Sequence, residues 1–493
     1  MVLFNLDDER TWKGLLVLGL LLNLVVCFSS DLGLDTHVKM AVDGDGGLPW
    51  GDLRPEVAGV SDPSDAGERT VLPMYSGSDA SIKAFALVAF FALIGYVHRT
   101  VGERSATILS LSPAFIFSVG RGYEEVYFAL AFAVAFGLFT GLWSSKMPLL
   151  QHLVGGCTLM FIPYAKGMSE PSSVLLYGAF LGSTGFAWYA LQRRESSQFT
   201  WMRNPFKASC AATGVIGTIM LLAGIFDATP TFGVMKDAPL RFLSAIVFSV
   251  FDAIGLFVLF GMVLWPLLKP AVAALRTTDD AQIATMSAMI AAAMTAIVFY
   301  IAALWTYESV LWGASWPGVV WTMGNNGRYV TLLFIPLVVL LKQLNLETGA
   351  PTFEVPGHQI RAIGFTLLML VPLSLLAGLH GQTMWTDEAA DKMNLENGDH
   401  FLFVSDATLG MHWLYTFYEP LDADTNNLTG HWRSTGSNWI GDVDADLSHV
   451  TTIVLAPEVN TVPTGWSDLE IKNLIHLLFH LIFRTCLFFL LNS

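Results

Sequence analysis

The sequence predicts a mainly α, polytopic membrane protein. Three observations carry this. Of its 493 residues, 53% are hydrophobic and only 14% are charged, too little charge to cover a soluble protein of that length. Apolar runs of roughly 17–25 residues recur along the chain, the length that crosses a hydrocarbon core about 30 Å thick. The runs are continuously apolar rather than alternating, which excludes a closed β-barrel.

Taken in order, the first run, 13–30, reads as a retained helix, because it is long and no small-x-small cleavage site follows it. Further helices are expected near 83–98, 105–119, 126–143, 148–163, 173–191, 209–226, 241–266, 283–305, 329–342 and 361–379, with another apolar segment at 471–491. Several runs are short or contain Pro, so the expected count is about 11–13 transmembrane helices. Lys and Arg in short loops set the orientation. With the N-terminus inside, HRTVGERS, QRRESSQFTWMRNPFK and KPAVAALRTTDDAQ face inward. The acid-rich segment 31–82, GRGYEE, PYAKGMSEPSS and the long segment 380–470 then face outward.

This divides the chain into a membrane domain, 1–379, with a long first outer loop at 31–82, a small outer α/β domain at 380–470, and a C-terminal transmembrane or interfacial helix at 471–493. HFLFVSD and VTTIVLAP in the outer domain are strand-like, and ATLGMHWLYTFYE between them suits a short helix. Asn427–Thr429 is a glycosylation acceptor pattern. In the last segment Lys472, His476, His480 and Arg484 recur every four residues and share one helix face. They suit a metal or proton site, or an amphipathic helix on the membrane surface, and no carboxylate joins them. The four cysteines, Cys27, Cys157, Cys210 and Cys486, form no close pair, so neither a disulfide framework nor a thiolate metal site is expected. The net charge of −15 disfavours nucleic acid as a partner.

Charge at a membrane edge is costly without a use, and four outward clusters carry candidates. Asp31, Asp35 and His37 directly follow the first helix. The two carboxylates are one helical turn apart and suit a general base, a cation ligand or helix caps. Arg121, Tyr123, Glu124 and Glu125 stand in GRGYEE, where the two glutamates suit the N-terminus of the next helix or a second acidic group facing Asp35. Arg328 and Tyr329 precede an apolar helix, and the planar fork of an arginine there matches phosphate oxygens or anchors the interface. Trp305, Trp312, Trp316 and Trp321 form an interfacial belt or a stacking wall for a sugar or lipid, with Glu308 nearby.

Together these clusters resemble the GT-C superfamily of membrane glycosyltransferases. DLGLDTH stands in the first outer loop, where that family holds a catalytic Asp, and Asp35 with His37 is similar to its Asp-x-His variants. GRGYEE is similar to the Arg-Gly-x-x-Glu form of its mannosyltransferase branches, and GRYVTLLFIPLVVLL resembles its Arg-Tyr element before a late Pro-containing helix. The chain lacks the Asp-Glu pair of protein mannosyltransferases and the Trp-Trp-Asp-Tyr-Gly of oligosaccharyltransferases.

The resemblance implies an inverting transfer from a polyprenyl- or dolichyl-phosphate-linked sugar to a lipid-linked glycan or protein, on the extracytoplasmic face of a plasma or endoplasmic-reticulum membrane. Asp35 would be the base. Glu124, with Glu125 or Asp31, would orient the acceptor or join Asp35 in holding a divalent cation, Mg or Mn. Arg328 and Tyr329 would meet the lipid phosphate, with His37, Arg121 and Glu308 lining the substrate site. A transporter or lipid flippase competes, but it would want ionisable residues at mid-membrane and broken helices. A non-catalytic scaffold would tolerate neutral substitutions at Asp35, Glu124 and Arg328 alike.

Overall fold

The computed structural model describes residues 8–45, 52–53, 72–140, 142, 147–166, 168, 173–193, 196, 198–260, 265–311, 316–318, 320, 328–329, 331–347, 384–405, 410–423, 425–457 and 459–467. The segments expected as helices at 361–379 and 471–491, the Lys472–Arg484 stripe, Trp312 and Trp321 lie outside these residues. The chain forms two units: 1–47 with 57–382, and 48–56 with 383–493.

The first unit is helical. Among the described residues, four of its helices are long and apolar enough to cross a membrane: α1 (Glu9–Ser29), α3 (Asp79–Thr100), α9 (Pro205–Ile225) and α13 (Ala281–Leu311). Shorter apolar helices are α6 (Glu125–Phe139), α8 (Val174–Gln192) and α14 (Thr331–Glu347). Large apolar side chains stay exposed on these helices and on α11 (Pro239–Phe260), among them Val25, Phe28, Val88, Val174, Phe206 and Phe251. Such surfaces suit lipid rather than water.

The helix ends follow local chemistry. Asp8 caps α1, accepting from Arg10 N at 3.0 Å, and Ser30 ends it by sending its N–H to Val26 O. Midway along α1 the buried Asn23 donates to Gly19 O and to Ser110 O, each at 2.8 Å. In lipid every such polar group needs an internal partner. Phe90, Phe115, Phe136 and Phe334 join one core with Trp12 and Cys27. Lipid tails are as apolar as these side chains, so close packing rather than escape from water holds the helices together.

Two expectations change. The segment 105–119 is not one membrane helix but two short buried ones, α4 (Glu103–Ser110) and α5 (Pro113–Gly120). Pro113 has no N–H to continue the ladder and restricts Ser112 to extended backbone, where ψ is 124°. Segment 31–82 is not loop throughout, because α2 (Leu34–Asp45) follows α1 after four residues. The remaining helices of this unit are α7 (Pro148–Ala165), α10 (Pro230–Asp237) and α12 (Trp265–Thr277).

The second unit is a parallel α/β layer. Its sheet order is β1 (Asp52–Leu53), β3 (Thr429–Ser434), β2 (His400–Ser405), β4 (Thr452–Leu455), and every pairing is parallel. The two strand-like runs and the short helix α16 (Gly410–Tyr415) lie where the sequence places them. β3 and the two-residue β1 were not expected. Helices α15 (Trp385–Ala390) and α17 (Trp439–Val443) complete the unit. Alternation splits β2 between two layers. Phe401 and Phe403 pack on Phe417, while Leu402 and Val404 pack with Trp439, Val443 and Leu447. Asn427 is exposed in a left-handed turn, φ 48°, just before β3.

Candidate active site

The segment that follows α1 docks on the GRGYEE turn. Gly33 N–H donates to Arg121 O at 3.0 Å, and Thr36 Oγ1 donates to the same oxygen at 2.9 Å. Ser30 Oγ reaches Gly120 O at 2.9 Å, and Tyr75 Oη donates to Gly122 O at 2.9 Å. Two glycines permit this approach. A Cβ on Gly33 would lie 2.3 Å from the Tyr123 ring. Gly122 has φ +66°, and its Cβ would meet Ile82 at 2.8 Å. Asp35 thereby sits in the first turn of α2, close to the start of α6.

From Asp35 a chain of ion pairs runs inward with alternating sign. Asp35 Oδ2 accepts from Arg328 Nη2 at 2.5 Å, across 293 residues of sequence. Arg328 Nε is 3.4 Å from Glu125 Oε1. Lys166 Nζ lies 3.2 Å from the same Glu125 oxygen and also pairs with Glu124 Oε1. Lys39 Nζ closes the series, 2.5 Å from Glu124 Oε2. Aromatic rings wall the cations. Arg328 lies 4.4 Å from the Tyr123 centroid and 5.0 Å from that of Tyr329, whose hydroxyl it also contacts at 2.9 Å. Lys166 faces Phe128, Tyr300 and Tyr329.

Three acids and three bases therefore balance in a largely buried place. The Glu125 side chain is 0% exposed and Glu124 3%, whereas Asp35 is 29% exposed and forms the more accessible end, ahead of Lys39 at 20%. Burial opposes the charge on Glu124, but Lys166 and Lys39 outweigh it and hold that carboxyl below the usual range. Burial likewise opposes the charge on Lys166, and Glu124 and Glu125 outweigh it, holding the ammonium well above its ordinary value. Arg328 is raised against its burial by Asp35 and then Glu125. A divalent cation does not fit this set, since Asp35, Glu124 and Glu125 are already matched one for one by basic side chains.

The structure thus brings together Asp35, Glu124, Glu125, Arg328 and Tyr329. Asp31 and His37 stand beside them, with His37 Nε2 3.6 Å from Asp31 Oδ1. Arg121 is buried, stacks 5.3 Å from the Phe117 ring, and leaves Nη1 and Nη2 without a hydrogen bond among the described residues. Burial pulls its guanidinium down from the usual arginine range, against Tyr123 and Asp31. Glu308 is buried near the end of α13. Trp305 is 0% exposed, packed with Ile301, Tyr329 and Leu333, so it belongs to neither a belt nor an open stacking wall.

Lys39 and Lys166 were missed. Lys39 sits within THVKMAV and Lys166 within PYAKGMSEPSS, and neither stretch carries a motif. A lysine directly after an apolar run on the acid-rich face was the available signal, because that position opposes the usual placement of basic residues. No family model, curated protein or solved structure matches the chain.

Proposed function

We propose that the chain is a GT-C-type glycosyltransferase that moves a sugar from a polyprenyl- or dolichyl-phosphate donor to a lipid-linked glycan or protein acceptor. The site would face the extracytoplasmic side. The observation that carries the reading is the Asp35–Arg328 contact at 2.5 Å, which joins a base to a phosphate ligand at the accessible end of a buried ion chain. The order of the three motifs supports the same reading.

The two residues act in turn. A donor phosphate displaces Asp35 as the partner of Arg328, since phosphate also accepts from the guanidinium fork. Asp35, released from the cation, takes the proton of the acceptor hydroxyl. The acceptor oxygen bonds to the anomeric carbon as the bond from that carbon to the phosphate oxygen breaks. The electron pair stays on the phosphate, where Arg328 balances it. One displacement inverts the anomeric centre. Glu125 and Lys166 hold Arg328 and Tyr329 in place, while Asp31, His37 and Arg121 border the approach.

The experiment is a transfer assay with membranes carrying wild-type protein or Arg328→Gln and a pool of labelled polyprenyl-phosphate sugars. Wild type transfers from one donor, and the variant transfers at least about 100-fold less, the scale of losing one donor to developing charge. Label that crosses sealed vesicles without forming a glycoside would instead indicate a transporter or flippase and remove this reading.

A further inference from the structure

The second unit contains a group of side chains unconnected with glycosyl transfer. His400, His431 and His449 each present a ring nitrogen, and the three nitrogens all lie within 4.8 Å of one another. His400 Nδ1 and His431 Nε2 are 3.0 Å apart. The ring centroids of His400 and His449 are 4.5 Å apart, and those of His431 and His449 5.5 Å. We propose that these three histidines form a binding site for a divalent transition-metal ion of the Zn²⁺ class, with a fourth position open to water or an external ligand.

The backbone explains why they meet. His400 pairs with Thr429 and Leu402 with His431 in the parallel register of β2 and β3. Positions two apart on a strand share a face, so His400 and His431 project to the same side of the sheet. His449 arrives from the turn before β4. Thr451 anchors that turn to His400, with its N–H on His400 O at 3.0 Å and its hydroxyl on the same oxygen at 3.3 Å. Val450, buried between them in sequence, pins the turn into the core of this layer. The site is therefore held by strands and a buried anchor, and only the exposed His449 must adjust.

The geometry suits a metal. A tetrahedral ion about 2.0–2.1 Å from two imidazole nitrogens sets them roughly 3.3 Å apart. The His400–His431 separation is already within a few tenths of an ångström of that. Imidazole donors favour Zn²⁺, Cu²⁺, Ni²⁺ and Fe²⁺ over Mg²⁺ and Ca²⁺, which prefer oxygen. A ligand imidazole binds in its neutral form. Three histidines leave one tetrahedral position open, the arrangement in which bound water is activated or an outside ligand is captured.

The test is a titration of the full-length protein, purified in detergent and stripped with a chelator, with Co²⁺ followed by Zn²⁺. Wild type takes up one Co²⁺ per chain with the intense visible absorption of tetrahedral cobalt, and Zn²⁺ displaces it. His449→Ala and His449→Gln weaken uptake by at least about tenfold while circular dichroism is unchanged, because His449 is exposed. His476→Ala/His480→Ala in the C-terminal segment leaves uptake intact. Absence of both the cobalt band and Zn²⁺ uptake in wild type would overturn the proposal. So would equal affinity in both His449 variants, or loss confined to His476→Ala/His480→Ala.

Discussion

In the helical unit six charged side chains alternate in sign from Asp35 to Lys39. In the sheet unit three imidazoles of one kind meet with ring centroids 4.5–5.5 Å apart. The first set is complete, since each buried carboxylate has a cation within the protein. The second set is three like donors around one point, and it gains most from something brought in from outside. A matched set can position a base and a phosphate ligand without a cofactor. A like set recruits an ion. The same test of charge balance thus assigns the two places different chemistry, although both are assembled from residues distant in sequence.

The comparison breaks most sharply at Lys166. Lys166→Met leaves Glu124 and Glu125 buried beside a lost cation, and removing one partner of a buried pair costs about 3–5 kcal/mol. Chemical unfolding in detergent should show a loss of that order, with part restored in Lys166→Met/Glu124→Gln. A loss below about 1 kcal/mol would mean the chain behaves as a surface pair. Gly122→Ala comes next. A left-handed position and a 2.8 Å contact with Ile82 together predict a loss of about 1–3 kcal/mol, read in the same unfolding series.

Acid sharpens the contrast. Lysines hold the Glu124 carboxyl below its ordinary value, so its stabilising contribution is present above the unfolded glutamate pKa, about 4.3. That contribution is lost as pH falls through the lower folded value. Wild type should therefore lose stability below about pH 4.3, and Glu124→Gln should lose less over the same range. Unfolding midpoints against pH decide this. The smallest effect belongs to the sheet unit: in metal-free protein His449→Ala should change stability by no more than about 0.5 kcal/mol, because the side chain is exposed.

Apolar run length reveals the membrane class because it reports directly on bilayer thickness, and α1, α3, α9 and α13 follow it closely. It hides the break at Pro113, since SATILSLS and PAFIFSV follow one another with no charged residue between them. Asp35, Glu124, Glu125 and Arg328 were legible because acids and an arginine beside apolar runs are costly and conspicuous. Their pairing was not, because the partners are as much as 293 residues apart. Lys39 escaped because it lies within the short helix α2, and Lys166 because it stands alone after α7 with no motif around it. His400, His431 and His449 carry no motif spacing, and only the parallel register of β2 with β3 and the turn before β4 unites them.

The measurement that bears most directly on the account is transfer from labelled polyprenyl-phosphate sugars by wild type and by Asp35→Asn, each shown to be folded by its unfolding midpoint. Wild type should transfer the sugar, and a folded Asp35→Asn protein should show no detectable transfer. Near-wild-type transfer by that variant would contradict it.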